Sequence, residues 1–125
     1  MYDIRIDVEK NRLYLTLTGT VTLDDVTPIL DDFTRLAVNL KPGYGIIDDL
    51  SELEALEKKI EEVMVPIMKF VKESYAGGVI RVVPESLSGE AKARLFEEKS
   101  EEAGYTAAVV HTLEEAEKIL DEIQT

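Results

Sequence analysis

The sequence predicts an α/β fold: a mixed five-stranded sheet that begins with an antiparallel hairpin and continues through strand–helix units. Three observations predict it. Two alternating apolar/polar runs open the chain, helical stripes alternate with short apolar runs after them, and Pro or Gly falls between the segments. Strands separated by single helices imply parallel pairing through right-handed crossovers. The element order reads ββαβαβαβα.

In the first strand, Asp3 to Glu9, Ile4, Ile6 and Val8 fall on one side and Arg5, Asp7 and Glu9 on the other. After Lys10-Asn11, Arg12 to Thr18 alternates again with Leu13, Leu15 and Leu17 inward, which completes a hairpin. The period then changes. Val26, Ile29, Leu30, Phe33, Ala37 and Leu40 share one helical face. Thr22 and Asp25 have capping-box spacing, Pro28 suits a start near Asp24 or Asp25, and Lys41-Pro42-Gly43 stops the helix. Tyr44 to Leu50, with Ile46 beside Ile47, reads as a central strand covered on both faces.

Ser51 to Tyr75 reads as the longest helix, with Ser51 and Glu54 as its capping box. Its stripe is Leu53, Leu56, Ile60, Val63, Met64, Ile67 and Val71. Pro66 predicts a kink or break near Val65. Val79 to Val83 is another buried strand, closed by Pro84. Ser86 to Ala103 is a polar helix ended by Gly104, and Thr106 to Val110 is the last strand. Thr112 and Glu115 cap a final helix whose face is Leu113, Ala116, Ile119, Leu120 and Ile123.

Composition narrows function by exclusion. The 125 residues fit one domain, residues 1–125. With 26 acidic against 14 basic residues, the net charge of −12 argues against nucleic acid as a main partner. The absence of cysteine removes disulfides, thiolate metal sites and cysteine nucleophiles, and makes the cytoplasm the expected compartment. No secretory signal pattern and no transmembrane run is expected. One histidine, His111, cannot build a multi-histidine metal site.

The hairpin, Leu40-Lys41-Pro42-Gly43, the strand ending Ile46-Ile47-Asp48-Asp49-Leu50-Ser51, Ile80-Arg81-Val82-Val83 and Ala103-Gly104-Tyr105 resemble the SpoIIAA-like branch of the STAS group. That group includes bacterial anti-sigma-factor antagonists and is fold-related to the CRAL/TRIO lipid-transfer domains. The resemblance implies a regulatory module without enzymatic activity. In antagonists a strand ending Asp-Leu-Ser precedes a phosphorylated serine at a helix N-terminus. Asp49-Leu50-Ser51 matches the beginning. A gapless count puts the phosphorylated position near Glu57-Lys58-Lys59, which has no hydroxyl, so the phospho-switch is expected to be absent.

Other chemistry-bearing residues have plain structural readings. Thr22, Ser51 and Thr112 are expected to cap helices rather than act as nucleophiles. Asp48 and Asp49 could form a magnesium or acid/base pair, but adjacent strand residues point to opposite faces, so no metal is expected. His111 reads as a solvated loop residue, and Gly43-Tyr44-Gly45 precedes a strand and lacks a P-loop lysine. Lys58, Lys59, Lys69 and Lys72 are outweighed by neighbouring glutamates. No catalytic residue and no cofactor is expected.

The segment Val63-Met64-Val65-Pro66-Ile67-Met68, with Phe70-Val71, carries more apolar surface than a helix lying on a sheet needs. It could cover an apolar cavity, touch a membrane, form a dimer face, or simply pack in the core. Met64, Val65, Ile67, Met68 and Val71 are therefore the candidate binding residues, with Asp49 and Ser51 in the loop near the family's phosphorylation site. The expected partner is a protein docking along this helix and the loop Leu50 to Glu54. The alternatives are a small apolar or lipid-like ligand and a second copy of the chain.

Overall fold

In the computed structural model, which describes residues 1–74 and 76–124, the chain forms five strands and four α-helices. Strand β1 (Tyr2–Asp7) pairs antiparallel with β2 (Arg12–Val21). Then β2, β3 (Gly45–Leu56), β4 (Gly78–Val82) and β5 (Ala108–Val110) run parallel, in the spatial order β1-β2-β3-β4-β5. Helices α1 (Leu23–Ala37), α2 (Met64–Glu73) and α3 (Leu87–Ala103) cross between successive parallel strands, and α4 (Leu113–Ile123) closes the chain. The mixed α/β architecture is as the sequence predicts.

Topology dictates the layering. The parallel strands are added always in the same direction, so right-handed crossovers must put α1, α2 and α3 on one face. They do. Phe33 of α1 packs on Leu13 and Ile46, while Met64 and Met68 of α2 and Phe96 of α3 pack with Leu17, Leu50 and Val83. The opposite face holds Tyr14, Ile47, Ile80 and Val82 against Ala116 and Leu120 of α4. Alternation along β2 and β3 delivers one set of side chains to each layer.

Helix ends follow the sequence at three places. The Asp25 carboxylate accepts from the Thr22 backbone N–H at 2.8 Å, Ser86 Oγ accepts from the Gly89 N–H at 3.0 Å, and Thr112 Oγ1 accepts from the Glu115 N–H at 3.1 Å. Gly104 ends α3 with φ +97°, a conformation that a Cβ would penalise.

Several boundaries differ from expectation. The first strand ends at Asp7, and Val8 lies in the hairpin loop, 61% exposed. Helix α1 starts at Leu23, so Pro28 sits in its second turn rather than its first. The largest difference concerns Ser51 to Tyr75. Residues 51–56 continue β3 instead of starting a helix, and Ser51 is an exposed strand residue with no capping role. A short 3-10 helix (Lys58–Glu62) follows, and α2 begins only at Met64. Pro66 therefore lies in the first turn of α2, where no intrahelical N–H is required. Tyr75, the expected end of this helix, lies outside the described residues.

The physical reason is a pair of bulges. Thr16 pairs with Asp49 and Thr18 with Glu52; Gly19 pairs with Leu53 and Thr20 with Ala55. At each step β3 carries one residue more than β2. Each extra residue converts a spacing of two into a spacing of three. Leu50, Leu53 and Leu56 thus reach the same core as Leu17 and Val21 from a strand, at intervals that imitate a helix.

Candidate apolar-ligand site

Between the sheet and the α1–α2 pair lies a cavity of about 140 Å³. Its floor is Leu13, Leu15 and Leu17 of β2, Ile46 and Asp48 of β3, and Val79 and Arg81 of β4. Every second residue of these strands reaches that side, so the sheet supplies a continuous apolar surface. The roof comes from Val26, Ile29, Leu30 and Phe33 of α1 and from Met64, Ile67, Met68 and Val71 of α2. Phe96 and Tyr105 close the end beside α3. Phe33 and Phe70 meet edge to face, ring centroids 5.8 Å apart, and join the two helices at the other end. Beyond this ring pair a second, shallower groove of about 250 Å³ is lined by Phe33, Ala37, Leu40, Tyr44 and Phe70 among others.

Four of the five candidate binding residues, Met64, Ile67, Met68 and Val71, stand on the cavity wall. Val65 is not on that wall; it is partly buried against the neighbouring core cluster. Met64 and Met68 are buried at 4% and 7% exposure, so they point into the molecule rather than outward. The spacing of four between them sets both on the inward stripe, and each contributes about 1.5–3 kcal/mol by leaving water.

One polar feature interrupts the hydrocarbon. Asp48 and Arg81 are register partners in β3 and β4, and Asp48 Oδ2 accepts from Arg81 Nε at 3.2 Å. Arg81 Nη2 donates to Ser100 Oγ at 3.1 Å, and that hydroxyl donates to Met68 Sδ at 3.5 Å. The guanidinium also faces the Phe96 ring at 5.2 Å. Their side chains are only 1% (Arg81) and 13% (Asp48) exposed. Asp48 Oδ1 and Arg81 Nη1 have no hydrogen-bond partner among the described residues. Burial pushes the Asp48 carboxyl above its ordinary range, against the pull of Arg81. Burial also raises the Tyr105 phenol, with Ser100 and Arg81 acting in the other direction. Sequence reasoning missed this pair. Its signal was Arg81 inside the apolar run Val79 to Val83, with Asp48 directly after Ile46-Ile47.

Asp49 points elsewhere. Its Oδ1 accepts from the Ser51 backbone N–H at 3.0 Å and from Ser51 Oγ at 2.6 Å, a local turn on the surface. Asp48 and Asp49 thus diverge as alternation requires, and no cluster of three metal-binding side chains exists among the described residues. The exposed His111 donates from Nδ1 to the Val83 carbonyl at 3.1 Å. No described helix is long and apolar enough to cross a membrane.

No family model and no curated protein matches the chain. Two solved structures are similar in fold. One is an uncharacterized protein of the DUF3478 family with a SpoIIAA-like fold from Shewanella loihica PV-4: TM-score 0.66, 17% identity, covering 95% of this chain and 93% of that one. The other is the anti-sigma factor antagonist SpoIIAA in its unphosphorylated form: TM-score 0.60, 10% identity, covering 99% and 98%. Both match over nearly their whole length. The chain has a SpoIIAA-like fold.

Proposed function

We propose that this chain is a non-enzymatic, STAS-type binding module that holds a small apolar or lipid-like molecule between its sheet and the α1–α2 pair. The observation that supports the reading most is the cavity of about 140 Å³ with an almost wholly hydrocarbon wall. Well-packed interiors leave few voids larger than a water molecule. An apolar void of roughly 150 Å³ stays dry and takes up benzene or xenon. A drug-sized ligand requires about 300 Å³, which α1 and α2 would supply by parting, and Met64 and Met68 can repack around it.

The test is benzene. Its addition should shift the methyl NMR signals of Met64 and Met68 saturably and raise the melting temperature. Ile67→Phe, which fills the void, should abolish both effects. Native mass spectrometry of freshly purified protein should show a retained apolar mass. A wild-type protein whose Met64 and Met68 signals ignore benzene overturns the reading.

An anti-sigma factor antagonist shares the fold, which favours a second reading: regulatory contact with a protein partner or a second copy. Its surface would be the outer edge of α2 near Phe70, which is 38% exposed. This reading has no phospho-switch. The region Glu57-Lys58-Lys59 leads into the 3-10 helix without a hydroxyl, and Ser51 Oγ is bonded to Asp49. Loss of a captured partner, or of a dimer, in Phe70→Glu with the benzene response intact would support it.

A further inference from the structure

The ion pair at the floor of the cavity has one donor and one acceptor to spare. Arg81 Nη1 offers an N–H and Asp48 Oδ1 a lone pair, on adjacent strands at the same register level. Leaving either unmatched in the interior is costly, because each has lost water without gaining a partner. Both residues belong to the wall of the apolar cavity, and both orphan atoms are buried. Met68, whose unbranched side chain repacks readily, is linked to the same network through Ser100 and lines the same cavity.

We infer that this pair receives the head group of a small neutral amphiphile: a single hydroxyl or carboxamide that accepts from Arg81 Nη1 and donates to Asp48 Oδ1. The alkyl chain lies along Leu15, Ile46 and Met64. This deepens the function proposed above and rests on it. Charge selects the head. Asp48 and Arg81 already neutralise each other, so an anion would meet the Asp48 carboxylate and a cation the guanidinium, in surroundings that do not screen either. A neutral group with both capacities completes the network. Size selects the tail: a void close to one that admits benzene admits a chain of about six carbons.

Four probes decide it: hexan-1-ol, its isomer 1-methoxypentane, n-hexane and sodium hexanoate, titrated at pH 7 into the full chain. The ether accepts but cannot donate. Hexan-1-ol should bind about tenfold or more tightly than either the ether or hexanoate. The double variant Asp48→Leu/Arg81→Met removes both charges together, so that neither is stranded. It should still bind n-hexane, and its preference for hexan-1-ol over n-hexane should fall by at least about tenfold relative to wild type. Where the double variant fails to fold, the alcohol–ether comparison in wild type decides. Equal binding of alcohol and ether, or an unchanged preference in the double variant, overturns the head-group assignment while the apolar-ligand function stands. Failure of n-hexane and hexan-1-ol alike to bind the wild type overturns both.

Discussion

Arg12 begins β2 and is 2% exposed, yet three side chains of the C-terminal segment receive its protons: Gln124 at 2.7 Å, Glu117 at 2.8 Å and Asp121 at 2.6 Å. Tyr14 donates to the same Glu117 oxygen at 2.8 Å. One arginine thereby ties the sheet to α4 across most of the chain length. Arg12→Ala should cost about 2–3 kcal/mol in urea unfolding, below the 3–5 of a fully buried pair, because Asp121 can turn to water. Glu117 gives a pH signature. Burial raises its pKa, but hydrogen bonds from Tyr14 and Arg12 outweigh that and hold it below its usual range. Burial, with the hydrogen bond to Glu117, lifts the Tyr14 phenol to about 12, while Arg12 pulls the other way. A depressed carboxylate stabilises the fold above its unfolded pKa, and that contribution is lost as pH falls through the folded value. Asp48, raised by burial, acts with the opposite sign. Comparing Glu117→Gln with wild type cancels the Asp48 contribution. The variant should be less stable at pH 7, and the gap should narrow as pH drops below about 4.5. A constant gap would mean Glu117 matters only through packing.

At the scale of elements, two prolines and a glycine separate this fold from what periodicity alone suggests. An internal proline costs a helix about 3 kcal/mol, so its removal from a kinked helix should stabilise strongly. Pro66 lies in the first turn of α2. Pro66→Ala should instead lose about 0.4–1 kcal/mol, since only the unfolded chain gains freedom; a large stabilisation would show that the helix is strained there. Gly89 in the first turn of α3 is a counterpart. Gly→Ala in helices normally stabilises by up to about 1 kcal/mol, but a Cβ at Gly89 would run into the Pro84 carbonyl. Gly89→Ala should therefore lower the melting temperature. The same elements show what was legible. Alternation in Ile4/Ile6 and Leu13/Leu15/Leu17, the caps at Thr22 and Thr112 and the stop at Gly104 depend on local chemistry, so each could be read directly. The bulges in β3 depend on the pairing partner β2, which no local pattern announces, and so Leu53 and Leu56 passed for the start of a helix. The segment Val63 to Val71 was recognisable by its excess of apolar residues. Its inward direction was not, because that depends on where α2 starts.

For the molecule as a whole, the one-directional addition of parallel strands sends three helices to one face, and that face is where space remains. Three helices must cover a twisted sheet, and α1 and α2 meet at the Phe33–Phe70 ring pair. Phe33 lines both the inner cavity and the outer groove, so this ring pair is the partition between them. Neither space alone reaches the roughly 300 Å³ of a drug-sized site, whereas the two joined would pass it. Removing the partly exposed ring tests whether the partition sets ligand length. Phe70→Ala should cost about 1–2 kcal/mol, less than the 3–5 of a fully buried phenylalanine. It should also admit decan-1-ol, with little effect on hexan-1-ol. The readout is the ratio of the two affinities, which a general loosening of the fold would shift together. If decan-1-ol binds wild type and variant equally, α1 and α2 already part in solution and the aromatic contact is no barrier. If the ratio moves toward the longer chain only in the variant, ligand size is set at this one edge-to-face contact, on the face that right-handed crossovers assign to the helices.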